Sequence, residues 1–148
     1  MPKQGPKVYN YDQVFLPDNS QKDLFKEIKP FVQSALDGEN TCIFAYGQTG
    51  AGKTYTMEGP DSNYLIEPET GKPHKNTGIL PRIAEFMQNE AQRYQRQFGQ
   101  EIIIEVSALE IYCENIRDLL YQSQLKNDQG KQRYIDVKTI GNKVQAIG

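Results

Sequence analysis

An α/β layered fold, with helices packed on a sheet, is predicted for this 148-residue chain by three observations. Segments with helical apolar spacing alternate with runs rich in β-branched and aromatic residues, the pattern of a layered sheet. A strand-like run, Thr41 to Tyr46 (TCIFAY), leads straight into Gly47 to Thr54 (GQTGAGKT), which meets every fixed position of G-x-x-x-x-G-K-[ST]. A second run, Glu101 to Tyr112 (EIIIEVSALEIY), is apolar enough for a long strand buried on both faces.

Taken in order, Val8 to Phe15 (VYNYDQVF) carries enough aromatic and β-branched residues for a first strand. Pro17, Asp18 and Asn19 form a turn, and Ser20 to Asp23 has the S-x-x-[DE] form of a helix start. Leu24, Ile28, Phe31 and Ala35 then share one helical face with Phe25, Val32 and Leu36 beside it, which is the spacing of core packing. Pro30 is expected to kink this helix because it lacks an N–H and crowds the carbonyl of Lys26. Gly38 is its expected stop. After the glycine loop, Gly52 to Met57 opens a helix that Gly59-Pro60 interrupts, and Glu58 to Thr77 is a long loop of the kind that is usually functional or mobile. A helix resumes near Pro81, with Ile83, Phe86, Met87, Ala91 and Tyr94 at helical spacing. Beyond the long strand, Asn115 to Leu120 reads as a short helical turn and Gln122 to Gln132 as a surface loop. Tyr134 to Lys138 and Lys143 to Ile147 read as a hairpin around Gly141-Asn142.

Bulk properties exclude several classes. The length suits one domain that buries roughly 68–70% of its unfolded surface. A net charge of −2 gives no reason to expect nucleic acid as a partner, although a local basic face on an acidic body stays open. Cys42 and Cys113 lack metal-ligand spacing and read as buried free thiols of a reducing compartment. His74 lies in a polar loop as a solvated side chain. The N-terminus MPKQGPK has no apolar core region and no stretch approaches 18 apolar residues, so neither secretion nor membrane spanning is expected. Cytoplasmic residence follows as the expectation.

The chemistry sits in the glycine loop. Glycines allow a turn tight enough for successive backbone N–H groups to face a polyphosphate, and the start of the next helix adds its positive end. In this pattern Lys53 reaches the β- and γ-phosphates and the Thr54 hydroxyl sits on Mg²⁺. A plain Gly-rich turn is the alternative, and the strand run leading into the loop argues against it.

Four segments resemble the kinesin motor domain. Gly38 to Gly59 (GENTCIFAYGQTGAGKTYTMEG) resembles its phosphate-loop region, and Tyr11 to Phe15 (YDQVF) its early strand motif. Thr77 to Arg82 (TGILPR) resembles the segment that resumes the interrupted helix, and Val106 to Leu120 (VSALEIYCENIRDLL) the long strand and turn that follow. The wording of the loop region leans toward the C-terminal-motor, minus-end-directed branch. The resemblance implies a P-loop NTPase-like kinesin motor fold, with an incomplete central sheet carrying helices on both faces. It implies that Gly47, Gln48, Thr49, Gly50, Ala51, Gly52, Lys53 and Thr54 wrap the phosphates of ATP, with Mg²⁺ on Thr54. It puts Tyr55 against one face of the adenine, a core aromatic being the alternative. It also makes the terminal hairpin a lobe against tubulin, with Lys138 and Lys143 as candidate contacts; a solvated charged turn is the other reading. A microtubule-associated, cytoskeletal location follows.

Three positions depart from the family pattern: Glu39 stands where Tyr is usual, Ala108 where an aromatic is common, and Cys113 where Asn is common. None has a phosphate role. The family's R-x-R-P first strand, its N-x-x-S-S-R segment (switch I) and its D-L-A-G segment (switch II) do not occur from Met1 to Gly148. Residues 1–148 therefore read as a partial motor domain with no catalytic residue assigned, and whether the chain turns ATP over is left open. Without a neighbouring strand, Thr41 to Tyr46 is expected to expose apolar side chains and unpaired backbone, so the isolated chain is expected either to be marginally stable or to need a partner that completes the sheet. The competing readings are part of an ATP-driven motor, a non-motor structural protein keeping a kinesin-like half-domain, and another type of P-loop enzyme.

Overall fold

Ser20 begins the first helix as its sequence predicts. In the computed structural model, which describes residues 5, 7–60, 66–120, 136–140 and 143–147, helix α1 spans Gln21–Leu36. Its start is a reciprocal capping box: the Asp23 N–H donates to Ser20 Oγ at 3.2 Å, and the Ser20 N–H donates to Asp23 Oδ2 at 2.8 Å. The Ser20 hydroxyl also donates to Asp23 Oδ2 at 2.7 Å, and this bond first, with the one from the Ser20 N–H second, holds the Asp23 carboxyl below its ordinary pKa. The helix runs unbroken through Pro30. It ends in a Schellman pair, with the Glu39 N–H bonded to Ser34 O at 2.9 Å and the Gly38 N–H to Ala35 O at 3.2 Å. Gly38 is thus the stop that the sequence predicts.

The chain divides into two compact units, Met1–Ile102 and Ile103–Gly148. In the first, α1 packs along α3 (Ile79–Phe98), and the five-residue α2 (Lys53–Met57) lies between them in sequence. Val32 and Ile79 are the buried apolar side chains among the described residues. Leu24, Phe25, Ile28 and Leu36 of α1 and Ile83, Phe86, Met87 and Ala91 of α3 are half-buried around them. Lys29 of α1 places its ammonium 4.7 Å from the centre of the Phe86 ring. The apolar face of α1 is rotated from the predicted one: Phe31 and Ala35 point to solvent, and the Ile28–Val32–Leu36 line of i, i+4 neighbours faces α3.

The two ends of the predicted interrupted helix are joined backbone to backbone. The Gly78 N–H donates to Glu58 O at 2.8 Å. A Cβ on Gly78 would lie 2.5 Å from the Met57 carbonyl carbon, so only glycine lets the start of α3 come this close to the end of α2. Arg82 ties down the loop before it, donating to Thr77 O at 3.0 Å, His74 O at 3.2 Å and Lys75 O at 2.8 Å. Earlier in the loop, Ile66 and Pro73 form an isolated bridge around a turn closed by the Gly71 N–H on Glu67 O at 2.8 Å.

In the second unit, β1 (Leu109–Tyr112) pairs antiparallel with β2 (Asn115–Asp118), Glu110 opposite Arg117. Strand β3 (Asp136–Ile140) pairs antiparallel with β4 (Lys143–Ile147). The predicted terminal hairpin is therefore present; Gly141 and Asn142 at its turn lie outside the described residues, as does the predicted surface loop at Gln122 to Gln132.

Four predicted elements are corrected. Val8 to Phe15 and Thr41 to Tyr46 are unpaired, and the strand predicted over Glu101 to Tyr112 is paired only from Leu109. Asn115 to Asp118 is strand where a helical turn is predicted, and helix begins only at Leu119. A strand needs a ladder partner, and within the described residues Thr41 to Tyr46 has none. Its alternation nevertheless persists, with Ile43 and Ala45 half-buried while Phe44 and Tyr46 stack on the outer side at 6.3 Å. The expected burial of the two thiols also fails: Cys42 lies on this unpaired run and Cys113 in the turn between β1 and β2, and both are free and exposed. The described sheets are two separate two-stranded ladders, in place of the expected incomplete central sheet with helices on both faces.

Candidate functional site

The loop Gly47 to Thr54 closes on itself before it enters α2. The Ala51 N–H donates to Gln48 O at 3.1 Å, and a Cβ on Gly47 would sit 2.8 Å from the Ala51 Cβ. Gly50 at φ +82° and Gly52 at φ +90° then turn the backbone through left-handed conformations that side chains rarely adopt. Beyond each glycine and its chain neighbours no heavy atom lies within 4 Å of where a Cβ would stand, so the loop carries bare backbone against open space at both positions. The Lys53 ammonium folds across it, donating to Gly47 O at 2.8 Å and to Gln48 O at 3.0 Å. Thr54 is exposed at the first turn of α2.

The predicted site residues Gly47, Gln48, Thr49, Gly50, Ala51, Gly52, Lys53 and Thr54 thus form one continuous turn. Its open backbone, its lysine and its threonine hydroxyl fit a Mg²⁺-bound polyphosphate. Helix α2 is short, so few aligned peptide dipoles act here and the loop carries most of the cradle.

Tyr55 is 52% exposed, which removes the core-aromatic alternative. It borders a groove of ≈ 380 Å³ with Phe15, Leu16, Pro17 and Leu24. Lys138 and Lys143 lie on β3 and β4 of the other unit, opposite Gln145 and Ile140, and by ladder parity these two positions belong to the same face.

Sequence reasoning missed Gln21. This residue is 5% exposed, and its Nε2 donates to Tyr55 O at 2.7 Å. Nothing in apolar periodicity marks a glutamine at the first position of a helix; its place next to the capping serine was the one available signal. Within TGILPR nothing in the sequence marks Gly78 for its close approach to α2.

Among the described residues no cluster of His, Cys, Asp and Glu could hold a metal ion. In the same residues no helix is long and apolar enough to cross a membrane.

A loop turning on left-handed glycines and delivering a lysine and a threonine into a helix has the layout of the P-loop nucleotide-binding class. Residues 1–146 match the kinesin motor domain family. The chain therefore belongs to the kinesin motor domain family, whose fold is of the P-loop NTPase-like α/β type. The protein claret segregational of Drosophila melanogaster is 44% identical over 123 residues, which are 82% of this chain and 15% of that protein. Kinesin-like protein KIN-14M of Arabidopsis thaliana is 48% identical over 76% of this chain and 14% of its own length. Carboxy-terminal kinesin 2 of Xenopus laevis is 46% identical over 76% of this chain and 16% of its own length. The chain spans about one-seventh of the length of these relatives.

Proposed function

We propose that this chain is the ATP-binding part of a kinesin-like microtubule motor domain. The observation that carries the reading is the loop itself, with bare backbone at Gly50 and Gly52 and the Lys53 ammonium held across it. Lys53 exchanges two neutral carbonyl acceptors for phosphate oxygens, and hydrogen bonds between two charged groups are the stronger kind. Thr54 offers its hydroxyl to Mg²⁺, which when bound neutralises charge on the β- and γ-phosphates. Tyr55 offers a ring face to adenine, supported by its exposure beside the apolar groove.

Lys138 and Lys143 are the candidate tubulin contacts, supported by their shared face on the β3–β4 ladder. Phe44 and Tyr46, 81% and 89% exposed, support a partner that completes the sheet along Thr41 to Tyr46. A relative named carboxy-terminal kinesin supports the C-terminal-motor branch, and membership of the kinesin motor domain family supports a microtubule-associated place in the cytoplasm. The segments N-x-x-S-S-R and D-x-x-G do not occur from Met1 to Gly148, and the function proposed for this stretch of chain is binding alone.

Titration of the 148-residue chain with a fluorescent ATP analogue and Mg²⁺ tests the reading. Lys53→Ala is expected to weaken binding by about ten- to a hundredfold, the worth of a charge-assisted hydrogen bond. Microtubules are expected to raise ATP hydrolysis no further in wild type than in the variant. Equal affinities would overturn the binding assignment, and stimulated turnover lost in Lys53→Ala would overturn the assignment of binding alone.

A further inference from the structure

We infer that Gln21 is a positioning residue of the phosphate loop, holding the middle of α2 through one part-buried hydrogen bond while the Gly78 N–H holds its far end; this rests on the nucleotide-binding reading above. Helix α2 cannot hold its own position. Five residues are too few for an isolated helix, and none of the five is buried. Its far end is closed irregularly: the Gly59 N–H, which a regular helix would give to Tyr55 O, bonds Thr54 O at 3.2 Å instead. Gln21 supplies the missing donor from another helix, Nε2 to Tyr55 O at 2.7 Å. The contact reaches across 34 residues of sequence and ends one residue after Thr54.

The cost of the arrangement argues that position, more than stability, is what it provides. Gln21 is buried, yet among the described residues its Oε1 has no hydrogen-bond partner. A buried unpartnered acceptor is unfavourable, and an aliphatic side chain of the same size would fill the space without that penalty. The amide orientation is set by the Tyr55 carbonyl, since a flipped amide would place two oxygens together. Ser20 and Asp23, which cap α1 around Gln21, fix the backbone from which the amide reaches. Phosphate affinity therefore depends on a residue that touches no phosphate.

The test compares wild type, Gln21→Leu and Lys53→Ala in the 148-residue chain, using the fluorescent ATP analogue with Mg²⁺, thermal melting, and amide hydrogen exchange read separately over α2 and α3. Gln21→Leu is expected to raise the Kd about two- to tenfold, the span of one neutral hydrogen bond. Its melting temperature is expected to stay level or rise, with faster exchange over residues 54–59 and unchanged exchange in α3. Gln21→Met, unbranched like glutamine, repeats the test if the leucine variant folds poorly. Unchanged affinity and exchange would overturn the inference. So would affinity and melting temperature falling together in both variants, the mark of a merely structural role. If wild type and Lys53→Ala bind alike, the nucleotide reading fails instead, and exchange over α2 still decides the role of Gln21.

Discussion

Cys113 and Glu114 both sit at positive φ, +48° and +62°, at the two central positions of the β1–β2 turn. Such a two-residue turn demands left-handed backbone at both positions, and asparagine leads to glycine as its favoured occupants. The departure from the family's Asn at Cys113 therefore has a physical meaning that sequence alone did not disclose: it leaves strain in a tight turn. Asn115 partly compensates by donating Nδ2 to Cys113 O at 2.9 Å. Cys113→Asn is expected to stabilise the hairpin by roughly 1 kcal/mol, the order of the left-handed penalty for an ordinary side chain. A denaturant midpoint that does not move would count against the strain assignment.

At the scale of elements, what the sequence made legible is what depends on neighbours in the chain. The start of α1, its capping box and its Gly38 exit follow from residues within five positions of one another. The glycine loop was equally legible, since Gly50 and Gly52 are needed by the local backbone path. Strands were legible only in their alternation. Thr41 to Tyr46 keeps its two sides, while a ladder depends on partners far away in sequence. The capping box also carries a pH prediction. Asp23 has a lowered pKa in the folded chain, so its stabilisation of α1 is present above the unfolded value and is lost as pH falls through the folded one. Helicity measured by circular dichroism is expected to drop on acidification below the ordinary carboxylate range. Ser20→Ala, which removes the side-chain bond to the carboxylate and leaves the backbone one, is expected to shift that drop to higher pH. A wild-type curve superimposable on that of the variant would refute this.

For the whole molecule, the described apolar core comes down to Val32 and Ile79, while Phe44, Tyr46, Ile103 and Val106 stand 75–89% exposed. So little burial leaves little to offset chain entropy. The 148-residue chain is expected to melt broadly, with weakly protected amides outside α1 and α3. A sharp, reversible calorimetric transition would overturn that expectation. The same thin core explains why the long Ile-rich run from Glu101 is not the doubly buried strand that its sequence predicts: its apolar side chains match such a strand, but burial comes from layers that pack on it.

Read as a string, the chain already specified its family segments, its helices and the phosphate loop, because these rest on residue identity and short-range backbone geometry. The rotation of α1 toward Ile28, Val32 and Leu36, the closeness of Gly78 to α2 and the bond from Gln21 to Tyr55 emerged from packing in three dimensions. Each joins residues whose separation in the chain says nothing of their distance in space, and periodicity along one segment cannot report what another segment brings against it.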